Sequence, residues 1–135
     1  MSYTLEKKFY HMQNAIGDLI KEQLALSYSA AEDHPDVLIN AFDQEHRIVF
    51  WNKKAENYFG INKEVAVGNK LEELVQHAAK NRKLKYLRSA LMGNPVHIAK
   101  DKYDKRDAYY EQWVLPVKEN GSIIAALNIV KDLKI

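Results

Sequence analysis

The chain's five histidines and 18 acidic residues are the side chains that could hold a metal or move a proton, and their spacing argues against both. His11, His34 and His46 fall in separate elements, so no two of them stand one helical turn apart as a zinc-binding HExxH requires. No cysteine is present, which excludes disulfides, thiolate catalysis and sulfur-ligated zinc or iron–sulfur clusters. There is no GxSxG elbow, no Walker phosphate loop and no dinucleotide glycine fingerprint. The residues give no catalytic constellation, and no enzyme is expected.

Charge is equally uninformative about partners. Lys and Arg total 20 against 18 for Asp and Glu, a formal charge of +2, so neither nucleic acid nor an acidic membrane surface is expected to bind. The basic run from Lys80 to Arg88 reads as the wet side of an amphipathic helix. At 135 residues, 47% of them hydrophobic, the chain suits one core with room for one site. It lacks a run of about 18 apolar residues that could span a bilayer, and its polar start is no signal peptide. A cytoplasmic, untargeted protein is the expectation.

The elements that must position any site can be read from periodicity. From Leu5 onward, Leu5, Phe9, Met12, Ile16, Leu19 and Leu26 follow a seven-residue rhythm, broken at Gln23 and widened by Ile20 and Leu24. This predicts an amphipathic helix and linker over residues 1–34, a candidate dimerisation element, ahead of a domain over 35–135. Two strands, Val37 to Asp43 and Arg47 to Asn52, flank Gln44-Glu45-His46, a length suited to a hairpin. After Asn52 the pattern turns helical, with Ala55, Tyr58 and Phe59 on one side and Gly60 where a left-handed exit belongs. A helical turn near Asn62 and a longer or broken helix from Leu71 to Met92 follow, the latter carrying the Leu84, Leu87, Leu91 stripe. Strands are then expected at Val96 to Ala99, Ala108 to Val117 and Ser122 to Val130, with Asn120-Gly121 making the last hairpin.

Two strands, a helical crossover and three strands imply an α+β fold whose antiparallel five-stranded sheet carries helices on one face. In the last strand Ile123, Ala125, Leu127 and Ile129 alternate with Ile124, Ala126 and Val130, so both faces need cover. The crossover can shield only one. The N-terminal helix, or a second copy of the chain, is left for the other.

The ordered set of VLINAFDQEHRIVFWNKKAENYFG, EVAVGNKLEEL and EQWVLPVKENGSIIAALNIVKDL resembles a PAS domain from about Asp36 to Leu133. The resemblance implies a sensor module of signal transduction that binds a small ligand or mediates homodimerisation. It would pass a shift to an output domain, such as a histidine kinase or a transcription regulator, on a longer chain or a separate protein. It also implies that Asn52 caps the next helix at the mouth of an internal pocket. Asp132-Leu133-Lys134 departs from the family's usual Asp-Ile-Thr ending but keeps the aspartate, and the chain reads as an excised sensor.

Cofactors fare poorly on the same comparison. Leu71 stands where a light-sensing flavin relative would need its cysteine, and Val130 where it would want a glutamine. A haem ligand would be His77 if any, and the position resembling the oxygen sensors' ligand falls nearer Lys83; neither flavin nor haem is expected. What remains is an apolar pocket with Phe50, Tyr58, Phe59, Leu74, Leu87, Trp113, Leu115 and Leu127 as walls and Asn52, Tyr110 and Asn128 as polar contacts. Two alternatives stand beside the sensor. One is an enzyme like ketosteroid isomerase, for which Glu111 or Asp43 would supply the carboxylate. The other is a ligand-free interaction domain.

Overall fold

A computed structural model describes residues 2–74, 82–103 and 106–133, with side chains from residue 9 onward except at 82–83. Helix α1 (Ser2–Leu24) and the short α2 (Tyr28–Glu32) precede strands β1 (Val37–Asp43) and β2 (Ile48–Trp51). The crossover holds α3 (Lys53–Phe59), α4 (Lys63–Ala66), α5 (Leu71–Leu74) and α6 (Arg82–Leu91). Strands β3 (Val96–Lys102), β4 (Tyr109–Glu119) and β5 (Ser122–Leu133) complete one antiparallel five-stranded sheet in the order β2-β1-β5-β4-β3. Beginning and ending segments thus lie side by side at its centre.

Local chemistry sets the element ends. Ser27 Oγ accepts from Ala30 N at 3.1 Å and opens α2, and Asn52 Oδ1 does the same for α3 through Ala55 N. Gly60, at φ 69°, closes α3 in the left-handed region that costs a glycine nothing. At the β1–β2 turn the Asp43 carboxylate accepts from both Glu45 N and Arg47 N at 2.9 Å. The β4–β5 hairpin turns on Asn120 and Gly121, both with positive φ, as a two-residue turn between twisted strands demands.

The sheet has two apolar faces with separate covers. On the inner face Leu38, Phe42, Tyr110, Val114, Ala126 and Val130 pack against Leu84, Leu87, Ala90 and Leu91 of α6 and Ala55 of α3. The outer face sets Ile39, Ala41, Phe50, Val117, Leu127 and Ile129 against Met12, Ile16 and Ile20 of α1 and Ala31 of α2. Ile16 and Ile20 are wholly buried. Burying such a side chain is worth about 1.5–3 kcal/mol, so the leading helix is held in the chain's own sheet packing.

That assigns the heptad stripe. Met12 and Ile16 are buried on the sheet, while Leu19 and Leu26 are partly buried beside them. Phe9 stays exposed at the helix's start, and the Leu5 side chain lies outside the described residues. The buried set runs 12, 16, 20, a four-residue step suited to lying on a sheet, in place of the narrow seam expected of a paired helix.

One alternation departs from expectation. The register of β4 and β5 shifts between Val117 and Lys118, and such a bulge flips the side chains beyond it. Ile124 therefore joins the outer cluster with Leu127 and Ile129. Ile123 instead reaches the end of α6, where a Cβ on Gly93 would stand 3.1 Å from its Cδ1. Gln44 fixes that junction, its amide nitrogen donating to Leu91 O at 3.1 Å and Ile123 O at 3.0 Å.

Candidate functional site

Asn52 occupies the corner where β2 hands over to α3, and it is fully buried. Its Oδ1 accepts from Ile39 N at 3.0 Å and Ala55 N at 3.1 Å. Its Nδ2 donates to Val37 O at 2.7 Å and Ala31 O at 3.0 Å. One amide thereby joins α2, β1 and α3. Beside it the Trp51 indole N–H donates to Ile61 O at 2.9 Å, and the Trp51 ring lies 5.0 Å from that of Phe59. The Asn52 amide is fully engaged within the protein, so it frames the site without offering a free polar atom to it.

The pocket candidates divide between the faces of the sheet. Leu87 and Tyr110 are buried on the inner face, with Phe59 and Leu74 packed against that cluster. Asn128 shares the inner parity, since it pairs with Asn40 and Val114 and lies between Ala126 and Val130. Phe50, Trp113 and Leu127 belong to the outer cluster under α1, and Leu115 shares their face of the sheet by pairing with Leu127. Tyr58 is exposed at the end of α3. Those on the outer face cannot line a pocket under the crossover, because a sheet one residue thick stands between.

Sequence reasoning passed over two inner-face amides. Gln112 and Asn40 are each 1% exposed. Gln112 Nε2 donates to Asn128 Oδ1 at 2.7 Å, and Asn128 Nδ2 donates to Asn40 Oδ1 at 2.9 Å. The signal was present: 40, 112 and 128 each interrupt an apolar strand at one parity.

At the sheet's far end Asp132 gathers several elements. Its carboxylate accepts from the Tyr103 hydroxyl and from Arg106 Nη2 at 3.3 Å, and Lys54 Nζ of α3 lies 3.9 Å away. The Arg106 guanidinium sits over the Tyr103 ring at 3.9 Å. Burial first, then the neighbouring Asp132, pushes the Tyr103 phenol well above its usual range, with Arg106 opposing. Rings continue inward from Tyr103 to Tyr110 at 4.8 Å, and the Tyr110 hydroxyl donates to Asp101 Oδ2 at 3.2 Å.

The carboxylates needed by the isomerase-like alternative are elsewhere. Asp43 holds its own turn, and Glu111 lies 2.8 Å from His97 Nε2, whose ring stacks on Trp113 at 5.0 Å on the outer side. His77 lies outside the described residues. Among the described residues no group of three His, Cys, Asp or Glu side chains is placed to hold a metal ion, and no helix is long and apolar enough to cross a membrane.

On the outer side a groove of about 280 Å³ opens between α1, α2, β2 and α4, with Phe9, Gln13, Tyr28, Glu32 and Lys63 along it. Tyr28 meets Phe50 edge-on at 5.1 Å. Its phenol is pushed up from 10.0 to about 12, by burial first and then by Glu32, against a hydrogen bond from Gln13. The folded chain therefore keeps a proton that the unfolded chain loses, and this stabilising contribution, complete below pH 10.0, falls away as pH rises toward about 12. Urea midpoints of wild type and Tyr28→Phe, measured below and within that window, are expected to show a steeper alkaline loss in wild type.

The antiparallel sheet carries a helical crossover on one face and a leading helix on the other. The chain matches the family model described as PAS fold over residues 33–134, and it belongs to that family. Among solved structures it is similar to the PAS domain of histidine kinase ThkA, with 23% identity, a TM-score of 0.59 and coverage of 72% of this chain and 99% of that one. A sensory box sensor histidine kinase from Vibrio cholerae gives 19% identity, a TM-score of 0.62 and coverage of 87% and 96%. The PAS domain of Bordetella pertussis BvgS gives 18% identity, a TM-score of 0.61 and coverage of 79% and 83%. Identities this low speak for the fold alone. None of the curated proteins matches the chain.

Proposed function

We propose that the chain is a signal-transduction sensor that takes a small molecule between the crossover helices and the inner face of the sheet. It passes the resulting shift through the end of β5 to an output domain, such as a histidine kinase or a transcription regulator. The observation that carries this reading is the set of contacts on Asp132. A single carboxylate near the end of the last strand holds the β3–β4 loop through Tyr103 and Arg106, and faces α3 through Lys54. Tyr103 also touches Tyr110 of the inner face. A ligand that moves Tyr110 or the end of α3 thereby changes the constraint on β5, which is the differential interaction that a two-state signal requires.

Homodimerisation belongs to the same proposal, with a change in the surface used. Met12 and Ile16 are committed to the chain's own sheet, so pairing through α1 falls to its exposed start, at Phe9 and Tyr10. The cytoplasm is the proposed compartment. Native mass spectrometry of purified residues 1–135 tests the ligand. A retained small molecule, lost on unfolding, is the expected result. The bare chain mass in every preparation would contradict it and favour a ligand-free interaction domain.

A further inference from the structure

The inner-face amide ladder ends on an unused acceptor. Gln112 gives its Nε2 hydrogen to Asn128, and Asn128 gives its own to Asn40, yet Gln112 Oε1 is buried with no hydrogen-bond partner among the described residues. Buried polar groups are almost always paired, so a buried amide oxygen that no described protein group reaches, at the middle of a strand, marks a place where a donor belongs. Gln112 is held between Ile98 of β3 and Val130 of β5, on the parity of Tyr110 and Val114, both of the inner cluster. The acceptor is therefore fixed by rigid strands and faces the crossover. It is not a loop group free to turn toward water.

We propose that Gln112 Oε1 accepts a hydrogen bond from a largely apolar small molecule that carries an N–H or O–H group and no negative charge. This rests on the sensor reading above and names the chemical class of its ligand. Charge is what narrows the class. Among the described residues the buried polar side chains are Asn40, Asn52 and Gln112, none of them a cation, so a carboxylate ligand would enter the inner face with no buried counter-ion. Glu72 Oε2 of α5, the other buried side-chain oxygen without a partner among the described residues, offers a second acceptor. Asn52 is engaged at both of its polar atoms, and the Tyr110 hydroxyl is turned to Asp101. The surrounding Leu38, Leu87, Val114 and Val130 suit an apolar body.

Indole and benzofuran test the assignment, since they share a shape and only indole carries a ring N–H. Each is titrated into ¹⁵N-labelled residues 1–135. Indole is expected to bind about tenfold tighter than benzofuran, the scale of one buried hydrogen bond completed, and to shift the Gln112 and Val130 amide signals. Gln112→Met, close in volume, is expected to bring the two probes within about twofold of each other. Equal affinities in wild type, tighter binding of benzofuran, or an indole preference undiminished in Gln112→Met would overturn the acceptor role while leaving a pocket in place. Binding of neither probe would overturn both this inference and the ligand part of the sensor proposal. The wild-type comparison decides by itself if Gln112→Met does not fold.

Discussion

Asn52→Ala is expected to destabilise the fold by about 3–4 kcal/mol, well beyond the 0.5–2 kcal/mol of an ordinary helix cap. The reason is that the cap is one part of its work. Losing the amide leaves the buried Ile39 N–H without its acceptor and removes the donors to Val37 O and Ala31 O. A melting temperature lower by about 10 °C follows for a chain of this size. Asn52→Asp separates the roles. It keeps an oxygen for Ala55 N and Ile39 N, yet turns a carboxylate toward two carbonyls that had donors. It should lose nearly as much stability despite being an excellent capping residue. A neutral Asn52→Asp would mean that the helix cap is all that matters at this corner.

Ile16→Ala is expected to cost about 2–5 kcal/mol, the range for emptying a filled apolar site. Ile16 is wholly buried among Ile39, Leu127, Ile129 and their neighbours. The loss should appear in the urea midpoint at any protein concentration, because the contact lies within one chain. Light scattering should meanwhile find the same molar mass for variant and wild type. If α1 served mainly as a pairing element, the variant would instead change molar mass, and its stability loss would fade on dilution.

The fold was legible because the strands and turns carry local chemistry. Asn120-Gly121 announces its hairpin, and Asn52 and Gly60 bracket α3. The need for covers on both faces followed from β5 alone. The site was less legible, for a physical reason. A strand that is apolar on both faces shows alternation without saying which parity meets the helices. Phe50, Trp113, Leu115 and Leu127 consequently looked equivalent to Leu87 and Tyr110, although they lie on the opposite face of the sheet. The bulge at Val117 added a parity change that no spacing in SIIAALNIV reveals. Gln112 and Asn40 were readable as polar interruptions of apolar strands, but their joining through Asn128 depends on strand order, which brings β1, β5 and β4 side by side.

With α1 closing the outer face of its own sheet, the inner face is the one left for the proposed ligand. Methyl nuclear Overhauser effects from Ile16 and Ile20 to Leu127 and Ile129, recorded on a mixture of labelled and unlabelled chains, test this directly. These signals are expected to be present and entirely intramolecular. Their appearance in the isotope-filtered, between-chain spectrum, or their absence from both spectra, would contradict that placement of α1.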